Sequence, residues 1–188
     1  NKCISPKQIA MMITSKSNEF GNSIYIQIPR LKNPIPLFVL FRALNITSDK
    51  EICEKIILDL DNKKHKKMLY GLQGCIVDAN TVVSSDDAIK YITSQAMYTP
   101  MNMDKEAGQR KKTEFAMEIL KNDLFPHCKT KIQKIYFLGY MANKLLQTSF
   151  EWLSPGDRDS YLNKRIDLSG ILINNLFCKV FCKKLSTF

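Results

Sequence analysis

Residues 157–165 carry the densest set of side chains that could bind a ligand. The segment reads Asp-Arg-Asp-Ser-Tyr-Leu-Asn-Lys-Arg, so two carboxylates, three cations and one amide lie between a Pro-Gly turn and an apolar stretch. Arg and Lys bind phosphate oxygens, and a carboxylate can accept a hydrogen bond from the amino group of a base. The pattern fits a nucleic-acid contact, and it also fits a helix start with local ion pairs.

Metal binding is the second chemistry to test. Cys178 and Cys182 are four residues apart and would share one face of a helix. A structural zinc ion needs four ligands, and the two histidines, His65 and His127, stand elsewhere without paired spacing. We therefore predict no metal site.

A thiol enzyme is a further alternative. It would use Cys75, or Cys128 with the adjacent His127, and it predicts that one cysteine is alkylated selectively at neutral pH. Catalytic partners are rarely adjacent in sequence, and a chain corner at Pro126-His127 accounts for that pair. The sequence contains no phosphate-binding loop, dinucleotide-binding glycine motif or nucleophile elbow, so we predict no self-contained active site.

Composition sets the class of protein. The 188 residues include 28 Lys and Arg against 18 Asp and Glu, and the net charge of +10 attracts polyanions. The lysine-rich composition of an AT-rich genome would give the same charge. The basic run at residues 63–67 fits either a solvated helix face or a nucleic-acid contact.

The apolar stretches and the cysteines indicate where the protein works. The longest apolar stretch, residues 35–41, contains a proline and is far shorter than the ~20 residues of a membrane-spanning helix. No signal peptide precedes the six cysteines. We therefore expect reduced thiols in an intracellular protein without a membrane span.

Apolar periodicity predicts an α+β fold, with a β-hairpin followed by helices. The predicted strands cover residues 8–15 and 23–29, joined by a turn at 17–22. The predicted helices cover residues 37–44, 63–72, 85–94, 104–122, 131–150 and 167–185, and one more begins at an N-cap, Ser48. Glu51 would complete a capping box with Ser48, and Asn45 would end the first helix in the left-handed conformation. We predict one domain over residues 1–188, with a hairpin portion at 1–33 and a helical portion at 34–188.

Four motifs occur in order along the chain. The first consists of Ile-Pro at 35–36, Phe-Arg-Ala-Leu-Asn-Ile at 41–46 and Ser-Asp at 48–49, and the second of Phe-Ala at 115–116, Ile-Leu at 119–120 and Leu-Phe-Pro-His at 124–127. The third consists of Tyr-Phe-Leu-Gly-Tyr-Met at 136–141 and Lys-Leu-Leu at 144–146. The fourth covers residues 157–170 and is continued by Asn-Leu-Phe at 175–177. The set resembles the lobe of the second-largest subunit of multisubunit DNA-directed RNA polymerases. The resemblance covers essentially the whole chain and is weakest over residues 1–30.

The resemblance implies that the chain is part of an enzyme, a nucleotidyltransferase that transcribes DNA. In this family the lobe walls the cleft over downstream DNA and docks initiation factors on its outer face. The catalytic magnesium ion is held mainly by the largest subunit, so this chain by itself would hold no cofactor. The implied partners are DNA, the other polymerase subunits, especially the largest, and initiation factors.

The resemblance also implies the site residues. We expect Arg158, Asp159, Lys164 and Arg165 to contact DNA. In bacterial relatives the positions of Asp159 and Lys164 help line a pocket for a non-template base, and Arg165 matches a phosphate contact. Lys164 stands where the family has an arginine, and a lysine offers a point charge instead of a planar fork. Gly139 is assigned to close helix approach, and the aromatic residues beside it to the core.

Some positions depart from the family pattern. Ser160 replaces a usual histidine, and Leu162 replaces a usual glycine, so the turn at Leu162 is expected to differ because leucine disfavours positive φ. The Asp-Ser-Tyr-x-Asn-Lys-Arg form is most similar to subunits of large cytoplasmic DNA viruses. A viral protein would work in the cytoplasmic factory or the virion, and a cellular eukaryotic protein in the nucleus.

One alternative from another class stays open at this point. A stand-alone basic helical module that binds nucleic acid or protein would have the same charge and periodicity. It predicts a native reading frame that ends near Phe188, whereas the first residue, Asn1, favours a piece of a longer chain.

Overall fold

The N-terminal strands pair antiparallel, in a computed structural model that describes residues 7–14, 20–59, 62–99, 104–164 and 166–185. β1 (Ala10–Ile13) pairs with β2 (Ile24–Gln27), which buries its isoleucines and leaves the alternate side chains half-buried. β2 also pairs with a two-residue strand, β3 (Ile35–Pro36), in the order β1-β2-β3. The predicted hairpin is confirmed, although its turn lies largely outside the described residues; β3 was not predicted.

Helices make up most of the described chain. They are α1 (Leu37–Ala43), α2 (Asp49–Ile57), α3 (Lys63–Asp78), α4 (Ser85–Gln95), α5 (Lys105–Glu118), α6 (Lys131–Ser149) and α7 (Ser169–Leu185). A π-helical turn (Ile119–Asp123) continues α5, and a 3₁₀ turn (Tyr161–Asn163) precedes α7. The α+β class, mainly helical, is confirmed. No helix in the described ranges is both long and apolar enough to cross a bilayer.

The chain divides into two compact units, Asn1–Leu153 and Ser154–Phe188. The first contains the sheet and α1 to α6, and the second contains the 3₁₀ turn and α7. That both belong to one domain over residues 1–188 stays a prediction.

Helix α1 is the centre of the first unit, because all seven of its residues are buried. Even Arg42 lies inside, 4% exposed, and its guanidinium donates hydrogen bonds to the carbonyl oxygens of Ala79 and Val82 just past the end of α3. The same group pairs with Asp49 at 2.5 Å. A buried cation is tolerated when it is paired and hydrogen-bonded in this way.

Helices α2 and α6 pack closely at Gly139. A β-carbon at this position would overlap the carbonyl oxygen of Lys55, so only glycine allows the two backbones to approach this far. One turn along α6, the Asn143 amide donates to the carbonyl oxygen of Ile56 at 2.8 Å. The assignment of Gly139 to close helix approach is confirmed. The aromatic residues beside it are only partly in the core, since Phe137 is half-buried and Tyr140 is 55% exposed.

Two capping predictions had different outcomes. Asn45 has φ of 77° and ends α1 in the left-handed conformation, as expected. Ser48 occupies the N-cap position of α2, as predicted, but the predicted capping box is wrong, because the Ser48 side chain forms no capping hydrogen bond. A capping box does form at α6, between Thr130 and Gln133.

Candidate nucleic-acid interface

Hydrogen bonds fold residues 157–164 onto themselves. The Asp157 carboxylate accepts from the backbone N–H of Asp159 at 2.9 Å, and the Asn163 amide donates to the carbonyl oxygen of Asp157 at 2.6 Å. The Ser160 hydroxyl accepts from the backbone N–H of Leu162 at 3.4 Å, at the start of the 3₁₀ turn. Short polar side chains favour such local bonds over regular helix. The segment is therefore an ordered loop, which we call the charged loop.

Two of the predicted site residues meet in the charged loop. The Lys164 ammonium lies 3.2 Å from a carboxylate oxygen of Asp159, and the two side chains are 48% and 78% exposed. Exposed ion pairs contribute little to stability because water screens them. Lys164 can therefore exchange Asp159 for a phosphate oxygen at small cost.

Of the other two predicted site residues, the structure describes only one. Arg158 is exposed in the same loop, adjacent to Asp159. Arg165 lies outside the described residues. That Arg158, Asp159, Lys164 and Arg165 contact DNA stays a prediction.

The charged loop also exposes two large apolar side chains, for which the sequence predicted no role. Tyr161 is 92% exposed and Leu162 is 95% exposed. Leu162 lies in the 3₁₀ turn and is not among the positive-φ residues, so leucine is accommodated there without strain. The feature of the sequence that could have indicated a role is a pair of bulky apolar residues inside a polar segment. Such side chains are suited to stacking on bases or on a protein surface.

Other basic side chains lie on helix surfaces. Lys66 and Lys67 are exposed on the first turns of α3, and Arg110 and Lys111 are exposed on α5. The side chains of the two lysines before His65 lie outside the described set. These cations add to the positive charge of the first unit.

A cavity of about 490 Å³ lies between α5, the π-helical turn and the start of α6. Lysines and glutamates both line it. The buried Lys134 ammonium donates to the carbonyl oxygens of Leu120 and Lys121 at 2.8 and 2.7 Å, and burial lowers its pKa. Because this lysine already satisfies the end of the π-helical turn, it serves the fold and not a ligand.

Cys75, one of the two thiols considered as a nucleophile, is buried and poorly suited to that role. Burial raises the pKa of Cys75 to about 11, and its sulfur accepts a hydrogen bond from the backbone N–H of Ile24. A thiol of this kind stays protonated at neutral pH and is a poor nucleophile. The His127 ring lies beside the rings of Phe125 and Phe137, in keeping with a chain corner. Across the described ranges, no three His, Cys, Asp or Glu side chains are grouped so that they could hold a metal ion.

Comparison with known proteins gives one consistent result. Residues 5–167 match the family model described as RNA polymerase Rpb2, domain 2. The chain is 32% identical, over 97% of its length, to the DNA-directed RNA polymerase II subunit RPB2 of Schizosaccharomyces pombe. It is 35% identical, over 85% of its length, to the subunit of the same name in Encephalitozoon cuniculi. It is 32% identical, over 88% of its length, to the DNA-directed RNA polymerase subunit 2 of Acanthamoeba polyphaga mimivirus.

The match covers only a small part of these relatives. The chain corresponds to 15% of the Schizosaccharomyces pombe protein, 14% of the Encephalitozoon cuniculi protein and 15% of the mimivirus protein.

Proposed function

Because the chain belongs to the family of second-largest subunits of DNA-directed RNA polymerases, as their domain 2, we propose that it is the lobe of such a subunit and works within a multisubunit enzyme that transcribes DNA. The observation that carries this proposal is the family match over residues 5–167, which includes the core of the first unit and the whole charged loop. The chain supplies a wall and a surface to that enzyme, and the nucleotidyl transfer takes place on other parts of it.

The proposed role of the charged loop is electrostatic. Arg158, Lys164 and Arg165 attract DNA phosphates, while Asp159 holds Lys164 in place until a phosphate replaces it. This is consistent with the exposed ion pair between Asp159 and Lys164. Tyr161, which is 92% exposed in the same loop, would stack on an unpaired base.

The remaining partners follow from the same assignment. We propose that the rest of the subunit, the largest subunit and initiation factors contact this chain, and that the largest subunit supplies the catalytic magnesium ion. The described carboxylates do not group into a site that fits this ion, so we derive no step through it from these residues. The enzyme would work in the nucleus of a eukaryotic cell, or in the cytoplasmic factory or virion of a virus.

The electrostatic role is testable in the assembled polymerase. The full-length subunit carrying Lys164→Ala with Arg165→Ala is assembled with its partner subunits, and the decay of open promoter complexes is followed at several salt concentrations. We expect faster decay and a shallower salt dependence, because each lost phosphate contact lowers the slope of log K against log salt by about 0.9. Arg110→Ala with Lys111→Ala removes two exposed cations from α5 and serves as the matched control.

Unchanged decay rates for the loop variant at every salt concentration would show that the charged loop does not contact DNA. If the loop variant and the α5 variant had equal effects, the loop would contribute only general positive charge and not a specific DNA contact.

A further inference from the structure

Helix α6 exposes a row of three large side chains. Ile132, Tyr136 and Tyr140 are 65%, 51% and 55% exposed, although each is large and mostly apolar. They are spaced four residues apart, so they lie on one side of the helix, one turn above the other. We call this row the tyrosine face.

The tyrosine face lines a shallow, open groove. The groove holds about 550 Å³ and reaches from His127 to Tyr140. Its floor includes Phe137, whose ring lies edge-on against the rings of Phe125 and His127 at centroid distances of 4.8 and 4.7 Å. These packed rings are held in place before any partner arrives, which lowers the entropy cost of binding.

Two lysines contact the tyrosine face, and two more lie at the N-terminal end of its helix. The Lys55 ammonium lies 4.9 Å from the ring centroid of Tyr136 and 3.3 Å from its hydroxyl oxygen, and the Lys144 ammonium lies 5.8 Å from the ring centroid of Tyr140. Lys129 and Lys131 are exposed at the N-terminal end of the helix. The sequence from residue 124 to residue 150 contains no Asp or Glu.

From this combination we propose that the tyrosine face binds an acidic amphipathic segment of a protein partner. Aliphatic or aromatic side chains of the segment would enter the groove, and its carboxylates would meet the surrounding lysines. Tyrosine is enriched at the centres of protein interfaces, and a helical row of anchors suits a helix laid along it. Single-stranded nucleic acid fits less well, because the Lys55 ammonium already lies over the ring of Tyr136, where a base would stack.

The proposal is tested with a synthetic probe and the 188-residue chain. The probe is a fluorescein-labelled helical peptide of about 20 residues, with leucines along one side and glutamates on the others. Fluorescence anisotropy compares the original chain, the variant Tyr136→Ala with Tyr140→Ala, and the control Tyr70→Ala, which removes a tyrosine that is 69% exposed on α3. We expect the double variant to bind the acidic peptide about tenfold more weakly or worse, and the control to bind it unchanged.

Two further binding measurements test whether the face prefers an acidic partner. A peptide with lysines in place of the glutamates should bind at least tenfold more weakly than the acidic one, and Lys144→Gln should reduce this preference. Circular dichroism melts check that the variants stay folded; if the double variant melts early, Ile132→Asp, at an exposed position, replaces it and should also weaken binding of the acidic peptide.

Equal binding of both peptides, or equal binding by the original chain and the folded variants, would overturn the proposal. It also fails if the double variant loses affinity for a single-stranded oligonucleotide and not for the acidic peptide, which would make the face a nucleic-acid contact. These residues belong to the first unit and are not part of the charged loop, so this result is independent of the DNA-contact test.

Discussion

Two buried cations satisfy carbonyl groups at the ends of helical segments. Arg42 binds the carbonyl oxygens of Ala79 and Val82 just past the end of α3, and Lys134 binds two carbonyl oxygens in the π-helical turn. The last carbonyl groups of a helix have no partner within it, and burial makes an unsatisfied group costly. At the scale of single residues, two side chains that look like surface charges in the sequence hold the fold together.

Lys134→Met is expected to destabilise the first unit by about 2 kcal/mol, because it leaves one buried and one partly buried carbonyl oxygen without this donor. Urea unfolding followed by circular dichroism measures the change. The control is Lys131→Met, which removes an exposed ammonium from the same helix and should have little effect. Equal loss of stability in both variants would contradict the role assigned to Lys134.

The raised pKa of the Tyr25 phenol predicts how the stability of the fold changes at high pH. Burial and the hydrogen bond to Asp78 raise this pKa from 10.0 to about 12. Between these values the unfolded chain releases the phenol proton and the folded chain keeps it, so ionisation favours the unfolded state. The contribution of Tyr25 to stability should therefore be complete below pH 10 and fall as the pH rises toward 12.

The measurement compares urea unfolding of the original chain and Tyr25→Phe at pH 9 and pH 11. The stability difference between them should shrink at the higher pH, while the exposed control Tyr70→Phe should show no such trend. A difference that is constant across this range would show that Tyr25 ionises alike in both states.

At the scale of elements, local patterns predicted the hairpin and the positions of the helices because their apolar faces are periodic. They predicted the end of α3 too early, at residue 72, since Gly71 and Gly74 are poor helix formers. The structure explains the glycine at 74: a β-carbon there would lie 2.7 Å from the carbonyl oxygen of Asn22. Close packing between α3 and the end of the hairpin thus outweighs local propensity.

The elements that the sequence did not reveal depend on distant partners. β3 has two residues and exists because Ile35 pairs with Ile26. The π-helical turn is stabilised by Lys134, which comes from α6. The charged loop was visible in the sequence as a dense group of charged and polar residues, and the family resemblance then assigned roles to those residues. The tyrosine face was missed, because spacing alone does not show which aromatic side chains of α6 face outward.

Gly139→Ala tests the packing of α2 against α6. The added methyl group would overlap the carbonyl oxygen of Lys55, so the helices must move apart, at a cost of about 1–3 kcal/mol. Thermal and urea unfolding of the 188-residue chain give the change. Gly170→Ala, where a β-carbon meets nothing within 4 Å, is the matched control and should not destabilise. The packing account fails if Gly139→Ala is as stable as this control.

At the scale of the whole molecule, the surface of the second unit is more typical of a protein contact than of a surface that faces water. Its helix α7 exposes large apolar side chains on several sides, with Ile171, Leu176 and Phe177 at 49%, 64% and 63% exposure. Contiguous apolar surface of this extent is typical of protein contacts. The first unit, by contrast, has its own buried core. This contrast agrees with a chain that spans about 15% of its relatives.

The central claim is that this chain is one domain of a polymerase subunit, and the most direct measurement is the size of the native polypeptide that carries it. An antibody raised against the chain recovers that polypeptide from its source under native conditions, and a denaturing gel and a DNA-templated RNA synthesis assay follow. We expect a polypeptide roughly six to seven times the length of this chain, since the chain covers about 15% of its relatives, together with a second large subunit and RNA synthesis. A polypeptide of 21.6 kDa, recovered without polymerase subunits and without RNA synthesis, would contradict the account and favour a stand-alone binding module.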